Sequence, residues 1–230
     1  MIDLNKLEKT IGVTFNNINL LKQSLTHRSY LNENPKEKTE HNERMEFLGD
    51  AVLELSVTEY LYNNFSNPEG DLTAWRASLV NSKMLSAIAI EVSLNDFLFL
   101  SKGEEKDTGR ARNYILANAF EALIGAIYLD QGYQVADQFI NKYIIPHLPN
   151  IIEQRLYQDS KSLFQEEAQE KEGVTPIYQV LDEWGPDHDK YFKVGVYIKE
   201  RLVAEGTGKA KQEAEQSAAL AALKKMDWQV

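Results

Sequence analysis

Four carboxylates recur at helical spacing in the stretch His41–Leu55, HNERMEFLGDAVLEL: Glu43, Glu46, Asp50 and Glu54. Wound at about 100° per residue, they lie within roughly 80° of one another on one face. Met45, Leu48, Val52 and Leu55 gather on the opposite face. Acids three and four residues apart repel by about 0.2–0.5 kcal/mol per pair, and no lysine lies within the stretch to relieve them. A solvated acidic face on an amphipathic helix is one reading of this pattern. Two features point beyond it. Phe47 falls at the edge of the acidic arc rather than on the apolar one, and Gly49 sits in mid-helix at a cost of roughly 1 kcal/mol relative to alanine. A ring and a missing side chain beside clustered acids suggest a close partner and a bound cation.

A fifth carboxylate stands out for the opposite reason. The segment Tyr114–Leu129, YILANAFEALIGAIYL, is apolar almost all round, as a central buried helix is. Glu121 interrupts it. A lone buried carboxylate costs roughly several kcal/mol unless it is paired, protonated or bound to a metal. Asn118 lies one turn earlier on the same face, which brings the two side chains together.

The run Glu43-Arg-Met-Glu-Phe-Leu-Gly-Asp50 resembles the signature of the ribonuclease III family, endonucleases that cut double-stranded RNA. The resemblance implies a helical endonuclease domain that dimerises. With no histidine, cysteine or serine nucleophile in view, hydrolysis of a phosphodiester points to metal-activated water. Two hard cations about 3.5–4 Å apart can serve both the attacking and the leaving oxygen, and Mg²⁺, with Mn²⁺ as a substitute, suits carboxylate ligands. Glu46, Asp50 and Glu121 fit such a site, with Asn118 supplying an amide oxygen; Asp50 and Glu121 are the catalytic pair. In the family the position of Asn118 is more often aspartate, so one negative charge is missing here. By resemblance, Glu43 and Glu69 form a second acidic pair that lines the cleft, and Phe47 is a ring that inserts into the other subunit. An ordinary core position is the alternative for Phe47.

Positioning these residues requires the following elements. Residues 3–30 read as two short helices, and the polar stretch NENPKEKTEH as an exposed loop leading into the acidic helix, which runs to about Asn64. Asn67–Asp71 makes a turn, and Asp71 or Thr73 can cap a single helix from Leu72 to about Val92. Leu100–Arg112 reads as a charged surface loop before the central helix. A helix follows over Val135–Ile145, then a short helix and linker over His147–Gln158. From Asp159 the pattern changes to helix (Ser160 to about Lys171), strand (Tyr178–Trp184), a GPDHD turn, an alternating strand through Phe192, Val194, Val196 and Ile198, a third strand (Arg201–Glu205), and an alanine-rich helix from about Lys209 to Lys225.

That α-β-β-β-α order resembles a double-stranded RNA-binding domain, so the expected fold is an all-α endonuclease domain (1–150), a linker (151–158) and a small α+β domain (159–230). Such domains read duplex RNA by shape, through 2′-hydroxyls and phosphates. By resemblance, Ser162, Gln165, Glu166 and Gln169 on the first helix make minor-groove contacts and His188 in the GPDHD turn makes the second. Lys209, Lys211 and Gln212 stand at the start of the last helix, where free N–H groups favour phosphate.

Composition alone argues the other way. The net charge is −10, and splitting the chain after Gln158 leaves 15 Lys+Arg against 21 Asp+Glu in the first part and 10 against 14 in the second. Neither part is basic overall, so an RNA site must come from local placement of cations and from metal ions covering the acids. The absence of cysteine excludes disulfides and cysteine-ligated zinc, and is compatible with a reducing cytoplasm. No basic-then-apolar leader opens the chain and no uncharged run approaches the ~18 residues of a membrane span, which argues against secretion and insertion.

The function expected is a cytoplasmic, homodimeric, Mg²⁺-dependent endoribonuclease with two cations per site. It would cut double-stranded RNA to 5′-phosphate and 3′-hydroxyl ends in the processing of rRNA and other transcripts. The alternatives are a duplex-binding protein of the same fold impaired in catalysis by Asn118, and an interaction scaffold with a merely acidic groove.

Overall fold

The computed structural model describes residues 2–153, 159–186 and 190–228, and within these the chain forms two compact units that divide between Glu153 and Asp159. The first unit is helical: α1 (Leu4–Ile11), α2 (Ile18–Ser24), α3 (Arg28–Glu33), α4 (Glu43–Asn64), α5 (Glu69–Val80), α6 (Ser82–Glu91), α7 (Arg110–Gln131), α8 (Tyr133–Tyr143) and α9 (Leu148–Glu153). Its centre is α7. Leu116, Phe120, Leu123, Ile124 and Ile127 are buried, and against them pack Leu53, Val57 and Leu61 of α4, Leu85 and Ile88 of α6 and Leu21 of α2.

The crossing of α4 over α7 is set by two glycines. A methyl group added to Gly49 would fall on the backbone carbonyl of Glu121 and within 2.8 Å of the Gly125 nitrogen, and one added to Gly125 would fall on the carbonyl of Met45. The two backbones therefore touch. Gly49 costs helix propensity because no larger residue allows this approach.

Several expected boundaries change. Residues 3–30 form three helices rather than two, because Thr26 leaves the helix to bridge Phe99 and His27 caps α3 by accepting from the Ser29 N–H. The single helix expected over Leu72–Val92 is two. Asn81, with extended ψ of 157°, accepts from the Met84 N–H at 2.9 Å and starts α6 afresh. α5 begins at Glu69 behind Pro68 with no side-chain cap, so neither Asp71 nor Thr73 caps it. α7 begins at Arg110, which takes the end of the expected 100–112 loop into its first turn, and a short 3₁₀ turn at Glu104–Lys106 occupies the middle of that loop.

The second unit is α10 (Ser160–Glu172), an antiparallel sheet in the order β1 (Ile177–Trp184), β2 (Tyr191–Ile198) and β3 (Arg201–Gly208), and α11 (Lys211–Met226). Phe164 and Ala168 of α10, Val196, Ile198 and Val203 of the sheet, and Ala218, Ala219, Ala222 and Leu223 of α11 make a core of its own. Trp228 stacks on Phe164 at 5.3 Å between ring centres. β3 runs three residues past the expected end, so Lys209 precedes α11 rather than opening it.

Candidate active site

Glu46 and Asp50 leave α4 on either side of Gly49, and Asn118 and Glu121 leave α7 at the point where Gly49 meets it. The close crossing makes these four side chains neighbours. Glu121 is half-buried, and its carboxyl is pushed up to about 8, first by burial and then by the charges of Asp50 and Glu46. Burial also raises Glu46, helped by the charges of Glu43 and Asp50 and opposed by a hydrogen bond from Asn118. The amide of Asn118 thus holds one carboxylate of the cluster in place. Among the described residues no ion pair includes Glu46, Asp50 or Glu121.

The donors are all oxygen, three of them carboxylates, and the negative charge gathered there helps raise Glu46 and Glu121, which is the chemistry of a hard divalent cation site. They do not yet form a closed cage. Among the described residues no three His, Cys, Asp or Glu side chains stand in a metal-holding arrangement. Glu46 and Asp50 stand just over one turn apart on α4.

The remaining expected acids part company. Glu43, at the start of α4, lies 3.4 Å from Arg28 and 3.8 Å from the His41 ring, two partners that the spacing of acids did not reveal. Glu69 opens α5 beyond the far end of α4. There it lines a groove of about 420 Å³ with Thr58, Leu61, Tyr62, Leu72, Thr73 and Arg76. Tyr62 lies 19 residues past Glu43, which is about 28 Å along a helix. The expected Glu43–Glu69 pair therefore does not form within one chain.

Phe47 is 81% exposed, which removes the core alternative. Leu55 and Tyr62, 57% and 78% exposed, continue the same face of α4, so an apolar stripe runs along the helix beside the acids.

In the second unit, Ser162, Gln165, Glu166 and Gln169 are all exposed on one face of α10, whose first N–H groups are capped by Asp159. Lys209 and Lys211 sit over rings of β2, the former 5.2 Å from Tyr191 and the latter 5.7 Å from Phe192, which stiffens both. Gln212 is exposed in the first turn of α11. His188 lies outside the described residues.

Comparison with known proteins agrees with both units. Residues 17–148 match the Ribonuclease-III-like family and residues 160–226 the double-stranded RNA binding motif. The chain is 47% identical over 227 residues to Ribonuclease 3 of Pelotomaculum thermopropionicum, covering 97% of this chain and 93% of that one. It is also 47% identical over 223 residues to Ribonuclease 3 of Carboxydothermus hydrogenoformans, covering 96% and 94%. Among solved structures, the nuclease domain of Ribonuclease III from Campylobacter jejuni, described for the flexibility of a region involved in its dimer formation, superposes with a TM-score of 0.58. It is 42% identical and covers 64% of this chain and 99% of that one.

Proposed function

The chain belongs to the ribonuclease III family of endoribonucleases, and from that premise we propose that it is a homodimer that cuts double-stranded RNA with divalent cations, leaving 5′-phosphate and 3′-hydroxyl ends. The observation that carries this reading is the convergence of Glu46, Asp50 and Glu121 at the crossing of α4 and α7, where burial first, and then the charges of Asp50 and Glu46, push the Glu121 carboxyl up to about 8. A site that holds three acids together against their own repulsion is stable in its charged form only with a cation present. When bound, Mg²⁺ or Mn²⁺ would supply a nucleophile from water at neutral pH and offset charge on the leaving oxygen. Glu46, Asp50, Glu121 and the amide oxygen of Asn118 would hold it, while the Asn118 N–H orients Glu46.

The dimer is supported by two complementary features of the first unit. An exposed ring, Phe47, stands near one end of α4, and a groove walled by Leu61, Tyr62 and Leu72 lies near the other. A two-fold axis would seat each ring on the other subunit and place two acid clusters against two strands that are themselves related by two-folds. It would also bring Glu69 of one subunit toward Glu43 of the other, a pairing a single chain does not allow. The double-stranded RNA-binding unit would grip the duplex through the exposed polar face of α10 and through Lys209, Lys211 and Gln212, with His188 as a further contact. Processing of rRNA and other transcripts in the cytoplasm is the role proposed.

The experiment is a cleavage assay of the purified full-length protein on a perfect RNA duplex, with Mg²⁺, with Mn²⁺ and with chelator. Cleavage should require the cation and leave ends that accept ligation through a 5′-phosphate. Salt-dependent duplex binding with no cleavage under either metal would instead make this a binding protein silenced at Asn118. Failure even to retain duplex would end both readings.

A further inference from the structure

The first unit carries a cavity whose charge runs against its surroundings. Ser82 and Lys83 in the first turn of α6, and Arg110, Asn113 and Tyr114 in the first turns of α7, line a space of about 180 Å³. Among the described residues no acid lines it, although acids outnumber Lys+Arg by 21 to 15 in the chain up to Gln158. Neither Lys83 nor Arg110 takes part in an ion pair among the described residues. Two unpaired cations sharing one small cavity repel each other, and an anion between them removes that cost. The lining also supplies neutral donors in the Asn113 amide and the Ser82 and Tyr114 hydroxyls.

The position of the cavity says which anion. Arg110, Tyr114, Asn118 and Glu121 recur at intervals of four, four and three residues, so they share one face of α7. Three turns, about 16 Å, separate Arg110 from Glu121. One face of α7 thus presents Arg110 at its start, with Lys83 of α6 across the cavity from it, and Asn118 and Glu121 of the acid cluster further along. We propose that Lys83 and Arg110 hold a backbone phosphate of the same RNA duplex whose scissile phosphate lies at Glu46, Asp50 and Glu121, and so set where along the strand the cut falls. This inference rests on the proposed cleavage of double-stranded RNA. Phosphate contacts of this kind position a duplex without reading its sequence. Lys83 and Arg110 are accordingly positioning residues, distant from the reacting atoms.

The test uses the full-length protein with Lys83→Ala, Arg110→Ala and the double variant, each checked for parental circular dichroism and thermal midpoint. Both side chains are exposed, so the fold should survive. Duplex affinity is measured over a range of salt concentrations in the absence of divalent cation. Each phosphate contact contributes about 0.9 to the slope of log K against log salt, so each single variant should lower the slope by about one and the double variant by about two. In cleavage, the KM of the double variant should rise about tenfold or more while kcat at saturating duplex changes less than twofold. Lys83→Arg should restore the parental values.

A folded double variant with parental salt slope and KM would overturn the proposal. So would a loss confined to kcat, which would make the pair act on the acids rather than on RNA. Millimolar inorganic phosphate separates a small-anion site from a duplex site: if it raises the thermal midpoint of the parent alone and the variants bind duplex normally, the RNA assignment is wrong. If the parent protein itself neither binds nor cuts duplex, it is the proposed function that has failed.

Discussion

At the scale of single residues, Glu121 carries the most information. Its folded-state carboxyl titrates near 8 against an ordinary value of 4.5, so the folded state holds its proton while the unfolded state has released it. That contribution to stability is fully present below about pH 4.5 and is lost as pH rises toward 8. In chelator, Glu121→Gln should therefore be more stable than the parent at pH 8, by on the order of 1 kcal/mol once partial solvent screening is allowed for. The two proteins should converge near pH 5. Thermal melts at both pH values check this, and cleavage by the variant at ordinary Mg²⁺ should be abolished while duplex binding persists. Asn118 gives a second handle. Replacing it by aspartate swaps an amide oxygen for a carboxylate, so Asn118→Asp should lower the Mg²⁺ concentration for half-maximal cleavage without improving metal-free duplex binding. A metal titration of cleavage rate decides it.

At the scale of elements, the crossing of α4 and α7 is the feature on which the acid cluster depends. Gly49→Ala gains about 1 kcal/mol of helix propensity, yet its methyl group meets a backbone carbonyl that cannot move aside. Overpacking costs about 1–3 kcal/mol or more, so the variant should melt lower than the parent and cleave poorly even at high Mg²⁺. An alanine that raised the melting temperature would mean that the helices can part. Much of this was legible in the sequence, because an acidic stripe with a costly glycine and a carboxylate inside an apolar helix are anomalies that local patterns display. Gly125 was not. In an apolar run it reads as one more small residue, and only the tertiary crossing gives it a task. The break at Asn81 was hidden because an apolar period continues across it. The Thr26–Phe99 bridge and the partners of Glu43, Arg28 and His41, depend on loops meeting across the fold, which no local period records. The pocket at Lys83 and Arg110 was missed for the same reason, since its two sides come from helices that start 28 residues apart.

At the scale of the whole molecule, association is tested at Phe47. Phe47→Ala should weaken the dimer by at least tenfold in sedimentation, since buried aromatic anchors dominate such contacts at about 2 kcal/mol or more. It should leave the melting temperature of the monomeric unit nearly unchanged, because the ring touches solvent rather than core. Removing residues 159–230 should weaken duplex binding strongly yet leave cleavage detectable at low salt, since every carboxylate placed at the site lies in the first unit. Loss of all activity by a folded truncation would show that the division of labour is wrong. The two separate cores carry one more consequence, best put as effective concentration. A tether turns the second unit's hold on RNA into a local supply of duplex for the first, at the millimolar level typical of short linkers. The truncated enzyme should therefore recover its rate when RNA is simply made abundant, and the severed RNA-binding unit, added back free in solution, should restore nothing.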